Sequence, residues 1–205
     1  MSKPFKADLH TSISREVLVM RKNVFIDPRC LITSLIPSAL EEYHKEISGY
    51  LIGSNGKKAT KLKIAGAYPM QTDNKNRTWV EHGNESAVRR VDELVRTLQM
   101  KLVGGFHSHP KGPSYLSRDD VQFIREKLDA HKLRNWLELL VSVKKKDYLH
   151  PHAQGWFLKE FTNKIGFIIR TDPWTGFGVT LSGYWIRSEG PRKEARLWTS
   201  RRQNF

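Results

Sequence analysis

The sequence predicts an α/β (α+β) fold in which a mixed β-sheet is flanked by helices. Short β-branched and aromatic runs recur at residues 24–26, 49–53, 62–68, 102–106, 136–143, 165–169 and 179–186. Between them lie two segments with apolar residues at helical spacing, Val88, Val91, Leu94, Val95 and Leu98 in the first and Val121, Ile124 and Leu128 in the second. Length is the third observation: 205 residues suit one domain with appendages and can bury a core without disulfides. The only cysteine, Cys30, precedes Leu31 and Ile32 and reads as a small buried hydrophobe.

Taken in order, residues 1–16 are polar and read as a loosely held segment. Residues 17–20 and 24–26 read as short strands. Asp27-Pro28 is a helix start, with Asp as N-cap and Pro at the first helical position, and Leu31, Leu35, Ala39 and Leu40 share a face that Pro37 should kink or restart. A strand at 49–53, a turn Ser54-Asn55-Gly56-Lys57 and a strand at 62–68 make a hairpin. Residues 69–83 read as a long loop anchored only by Trp79 and Val80, and Asn84 caps a helix running to about residue 100. The second helix runs from Ser117 to about residue 131, and residues 136–143 form a largely buried strand that ends in the solvated Lys144-Lys145-Lys146. His150-Pro151-His152 reads as a solvent-facing turn rather than a second metal site, for want of further ligands. Strand-like runs at 155–158, 165–169 and 179–186 extend or flank the sheet, with 161–187 as additional flanking strands, and residues 188–205 form a basic tail around Leu197 and Trp198, with docking as the other reading.

Chemistry concentrates between residues 103 and 120. The strand 102–106 ends in His107-Ser108-His109-Pro110, and two histidines one residue apart on an extended chain face the same side. Ser117-Arg118-Asp119-Asp120 opens the following helix, so Asp120 sits in its first turn, and the Gly-, Pro- and Ser-containing loop between lets the chain fold back. Each piece alone has a plainer reading, a polar turn for His-x-His and a capping box for Ser-x-x-Asp. Together they place two imidazoles and a carboxylate around one point with a fourth position open, the ligand set of a catalytic zinc.

The run His107-Ser108-His109, seven residues and then Ser117-x-x-Asp120 resembles the H-S/T-H-x7-S-x-x-D signature of the JAMM (MPN+) metallopeptidases. Glu46-Ile47-Ser48-Gly49-Tyr50-Leu51-Ile52-Gly53 is similar to the E-x-x-G-x-L-x-G segment that precedes it in that family. The resemblance covers roughly residues 24–146 and departs from the family at Gly105, where many members carry a bulky aromatic residue. A second departure is Lys111-Gly112-Pro113, in place of the Cys-Trp pair of the eukaryotic proteasomal members; both departures look like the prokaryotic branch. The resemblance implies a cytidine-deaminase-like three-layer fold with a catalytic domain over 17–160, and a deubiquitinase-like isopeptidase. Its Zn2+ would be held by His107, His109 and Asp120, with Glu46 as general base on the activated water and Ser117 as donor to the oxyanion. The implied substrate is the bond after the C-terminal glycine of a ubiquitin-like protein, lying by strand addition along the 69–83 loop.

A formal net charge of +14 and a pI near 10.0 favour acidic partners. These include ubiquitin-like or sulfur-carrier proteins with their conjugates, and the activating and conjugating enzymes of such a system. The alternatives are a metal-free binding module, a nucleic-acid-associated protein resembling the RadC group, and a peptidase that processes a sulfur carrier. No apolar run is long enough to span a bilayer and the N-terminus has no apolar leader, so the expected location is cytoplasmic, with no membrane partner.

Overall fold

The computed structural model describes residues 23–55, 61–70, 85–130, 133–161 and 163–200. In chain order these give β1 (Asn23–Ile26), α1 (Pro28–Cys30), a π-helical stretch (Leu31–Leu35), α2 (Ile36–Glu41), β2 (Ser48–Asn55) and β3 (Lys61–Pro69). Then follow α3 (Glu85–Thr97), β4 (Lys101–Pro110), α4 (Arg118–Ala130), β5 (Asn135–Asp147), β6 (Gly155–Glu160), β7 (Lys164–Arg170), β8 (Thr175–Arg187) and β9 (Lys193–Trp198). The expected segment at 1–16, the strand at 17–20, the tip of the 54–57 turn, most of the 69–83 loop and the cap at Asn84 lie outside the described residues.

The helix start at Asp27 forms as its sequence dictates. The side chain accepts from the Arg29 N–H at 3.0 Å and Pro28 occupies the first turn. Pro37, which has no N–H to donate, is met by the π-helical stretch, after which α2 restarts with Pro37 in its own first turn.

The three-layer, helix-flanked α/β arrangement is corrected by the strand pairing. The described residues are mostly β, and strands in the order β5-β4-β2-β3-β1-β9-β8 close into a 7-strand barrel because β8 also pairs β5. Closure depends on the length of β8. One edge pairs β5 antiparallel along its full length, from Asn135↔Arg187 to Asp147↔Thr175. The other edge is divided, with residues 176–182 taking β7 and residues 183–185 taking β9. β9 pairs β1 in parallel, β1 pairs β3 in parallel, and the ring is complete. The strands expected only to flank the sheet thus include a barrel stave, and the expected basic tail contains another. Within Lys193–Trp198 the side chains of Ala195 and Leu197 enter the core, while Trp198 packs outside against Phe25 with ring centroids 4.5 Å apart.

One sheet face has become an interior. It is filled by Val24, Ile64, Leu51, Phe106, Leu139, Val141, Leu181 and Trp185, and Leu31, Leu35, Ile36 and Ala39 of the helical stretch join the same cluster. Cys30 is buried there, and burial pushes its thiol up to about 12, so it stays protonated and unreactive at neutral pH. On the outside, α4 covers Leu140, Tyr184 and Ile186 through Val121, Ile124 and Leu128, while α3 covers Ile52 and Met70 through Val91 and Val95. No helix among the described residues is long and apolar enough to cross a membrane.

Candidate metal centre

β4 runs parallel to β5 with Phe106 opposite Leu139 and His107 opposite Leu140. Leu139 belongs to the interior and Leu140 to the layer beneath α4, so alternation puts His107 and His109 on the outer face and Ser108 on the inner one. Both imidazoles are buried, and their Nε2 atoms lie 3.2 Å apart. Their far nitrogens are tied down. His107 Nδ1 lies 2.7 Å from Glu138 Oε1, and His109 Nδ1 lies 3.1 Å from the Pro113 carbonyl oxygen. A carbonyl only accepts, so the network assigns the His109 proton to Nδ1 and leaves a lone pair on Nε2; the Glu138 carboxylate does the same for His107.

Asp120 arrives from α4 through a reciprocal cap. The Ser117 N–H donates to Asp120 Oδ2 at 2.6 Å, and the Asp120 N–H donates to Ser117 Oγ at 3.0 Å. The carboxylate then stands with Oδ2 at 3.5 Å from His109 Nε2 and Oδ1 at 3.9 Å from His107 Nε2. Burial opposes its ionisation, but the bond to His109, the charge of His107 and the two bonds from Ser117 outweigh that and hold it well below the usual carboxylate range. For His107, burial disfavours the charged ring, yet the hydrogen bond and charge of Glu138, with Asp120 and Glu46 behind them, leave the pKa raised.

These donors fit a divalent metal. Ligand atoms about 2.0–2.1 Å from a tetrahedral ion sit about 3.3 Å from one another. The Nε2 atoms lie 3.2 Å apart, the two Asp120 oxygens approach His109 and His107 to 3.5 and 3.9 Å respectively, and one atom from each of the three residues can be chosen within 4.8 Å of the others. With both rings neutral and protonated on Nδ1, two Nε2 lone pairs face each other beside a carboxylate, and a proton or a metal cation between them relieves the repulsion, so the donor set suits a divalent ion.

Glu46 lies just before β2, with Oε1 4.0 Å from His109 Nε2, beside the ligand set rather than in it. Burial pushes its pKa up, His107 and His109 pull it down, and Asp120 adds to the rise, with a raised value as the result. Its backbone is pinned by Ser108. The Ile47 N–H donates to Ser108 Oγ at 3.0 Å, and the Ser108 N–H donates to the Ile47 carbonyl at 2.8 Å. The middle residue of His-Ser-His therefore does more than tighten a local turn; it ties the glutamate segment to the histidine strand. Ser108→Ala leaves the buried Ile47 N–H without its acceptor, and the expected loss of stability is about 1–3 kcal/mol, read by chemical denaturation of the metal-free protein.

Sequence reasoning missed Glu138 and Trp136. The signal was a single carboxylate within the apolar run Trp136-Leu137-Glu138-Leu139-Leu140-Val141, since a charge in a buried strand must have a partner. His150 and His152 are exposed between β5 and β6, with the His152 ring edge-on to Tyr148 at 4.7 Å.

The sequence profile of the family described as prokaryotic homologs of the JAB domain matches residues 28–156. The chain belongs to that family. The matched span holds Glu46, His107, His109, Ser117 and Asp120, and stops before β7, β8 and β9, so the strands that close the barrel come from beyond it. The fold of this JAB-family chain is similar to the solution structure of protein DSY2949 from Desulfitobacterium hafniense, with a TM-score of 0.52 and 14% sequence identity over 88% of this chain and 95% of that one. None of the curated proteins matches the sequence.

Proposed function

We propose that this JAB-family chain is a zinc-dependent isopeptidase or peptidase that cleaves after the C-terminal glycine of a ubiquitin-like protein. What carries the reading is the convergence of His107, His109 and Asp120 with Glu46 Oε1 4.0 Å from His109 Nε2, a ligand set with a free carboxylate at its side. Zinc held there supplies a Lewis acid that lowers the pKa of water towards ~7. Glu46 takes the proton from the attacking water as the carbon–oxygen bond forms, and delivers it to the leaving amine as the carbon–nitrogen bond breaks. Ser117 Oγ accepts the Asp120 N–H, and its O–H would turn from the Asp120 carboxylate to donate to the developing oxyanion. The test is a fusion of a ubiquitin-like protein, through its terminal glycine, to a reporter. A product ending at that glycine supports the reading, and cleavage elsewhere or not at all overturns it.

The charge gives this reading a second, separable expectation. Lys144, Lys145 and Lys146 are exposed at the end of β5, and the whole chain carries +14. Such a field steers an acidic ubiquitin-like partner in a reducing, cytoplasmic setting, and is screened as the Debye length falls from ~10 Å at 0.1 M salt to ~3 Å at 1 M. Added salt should lower kcat/KM on the protein fusion while leaving a short neutral peptide nearly unchanged, and Lys144→Gln with Lys146→Gln should weaken the difference. Equal salt sensitivity for both substrates sinks the steering idea. Salt-sensitive binding of DNA or RNA by the same lysines would assign the charge to nucleic acid instead.

A further inference from the structure

We infer that Trp136, Glu138 and Gly105 form a built support for the metal centre, in which Glu138 is a positioning residue that fixes the proton and the aim of His107. The inference rests on the metal-site reading above and names residues that the sequence motif does not include.

Glu138 is 5% exposed in the middle of an apolar strand, yet each of its oxygens has a partner. Oε1 lies 2.7 Å from His107 Nδ1, and Oε2 accepts the indole Nε1–H of Trp136 at 2.7 Å. Trp136 stands two residues away on the same face of β5, so its indole meets the carboxylate from the side opposite His107. The space for both is made by Gly105, which is the β4 residue opposite Glu138. A Cβ there would come within 2.9 Å of Trp136 Cζ2, 3.0 Å of Glu138 Oε2 and 3.2 Å of the Gly49 carbonyl oxygen. Any side chain at 105 must therefore displace the pair that holds His107.

The chemistry follows from the donor inventory. A carboxylate that already accepts from an indole can only accept again, so it draws the His107 proton to Nδ1 and leaves Nε2 for a metal. It also makes that nitrogen more basic, and loss of such a partner typically costs about 10–100-fold in metal affinity. Glu138→Gln keeps the shape but brings an N–H where an acceptor is needed, against either Trp136 or His107. Trp136→Phe removes the indole donor, with part of the ring that packs beneath α4, and should restore part of the affinity when combined with Glu138→Gln.

The experiment measures zinc affinity by competition with a chelator for the parent, Glu138→Gln, Trp136→Phe, the double variant and Gly105→Ala. Thermal unfolding of the metal-free forms is followed alongside. The expected result is a roughly 10–100-fold weaker zinc Kd for Glu138→Gln and for Gly105→Ala, partial recovery in the double variant, and a metal-free Tm changed far less than the affinity. Nitrogen NMR of the metal-free parent in mildly alkaline buffer should show the His107 proton at Nδ1, with Nε2 protonation appearing in Glu138→Gln. An unchanged zinc Kd in Glu138→Gln overturns the inference. If that variant does not fold, Gly105→Ala decides: an unchanged Kd in a folded Gly105→Ala protein overturns it equally. A parent that binds zinc but cleaves nothing would sink the peptidase reading and leave this inference standing.

Discussion

Glu46→Gln is expected to keep the fold and the metal while losing hydrolysis on the order of 100-fold or more. The glutamine occupies the same volume beside His109, and the backbone anchor between Ile47 and Ser108 does not involve the changed group. An amide cannot accept the water proton, and it cannot return one to the leaving amine. Because Glu46 stands outside the three ligand atoms that can meet at one point, zinc content should stay at the parental level. Single-turnover cleavage of the glycine-linked fusion, with elemental analysis of the same sample, separates the two properties. Near-normal turnover with metal present would move the general base to another residue.

His109→Ala is expected to remove metal and activity together, taking the protein from about one zinc per chain to well below that. It deletes a ring whose Nε2 lies 3.2 Å from that of His107 and 3.5 Å from Asp120. Asp120→Ala should do the same and also lower stability by about 1 kcal/mol, because its Oδ2 is the acceptor for the Ser117 N–H at the start of α4. The two variants should agree in zinc content. Full zinc occupancy in His109→Ala would remove that residue from the ligand set.

The convergence of His107, His109 and Asp120 was more legible in the sequence than the architecture around it, and the reasons are physical. His107 and His109 reveal themselves by strand alternation, and Asp120 by the spacing of its capping box with Ser117; both signals are local, so they are written in adjacent residues. Barrel closure is not local. It depends on β8 running unbroken from Thr175 to Arg187 and dividing one edge between β7 and β9, whereas its apolar run reads only from about residue 179 to residue 186. β9 is harder still, since Ala195 and Leu197 are its only inward side chains among Lys193, Glu194 and Arg196, a pattern that looks like a solvated tail until β1 and β8 are beside it. Glu138 was visible as an odd charge in β5, but its role needed the register that sets it opposite Gly105.

The central claim is that His107, His109 and Asp120 hold one zinc on which peptide cleavage depends. The most direct test counts zinc per chain and measures cleavage of the glycine-linked fusion in the same preparation, before chelation, after it, and after zinc is returned. The account predicts about one zinc per chain, loss of cleavage on stripping and its recovery on return of the metal. Undiminished cleavage by the stripped protein, or zinc retained when all three residues are alanine, would contradict it.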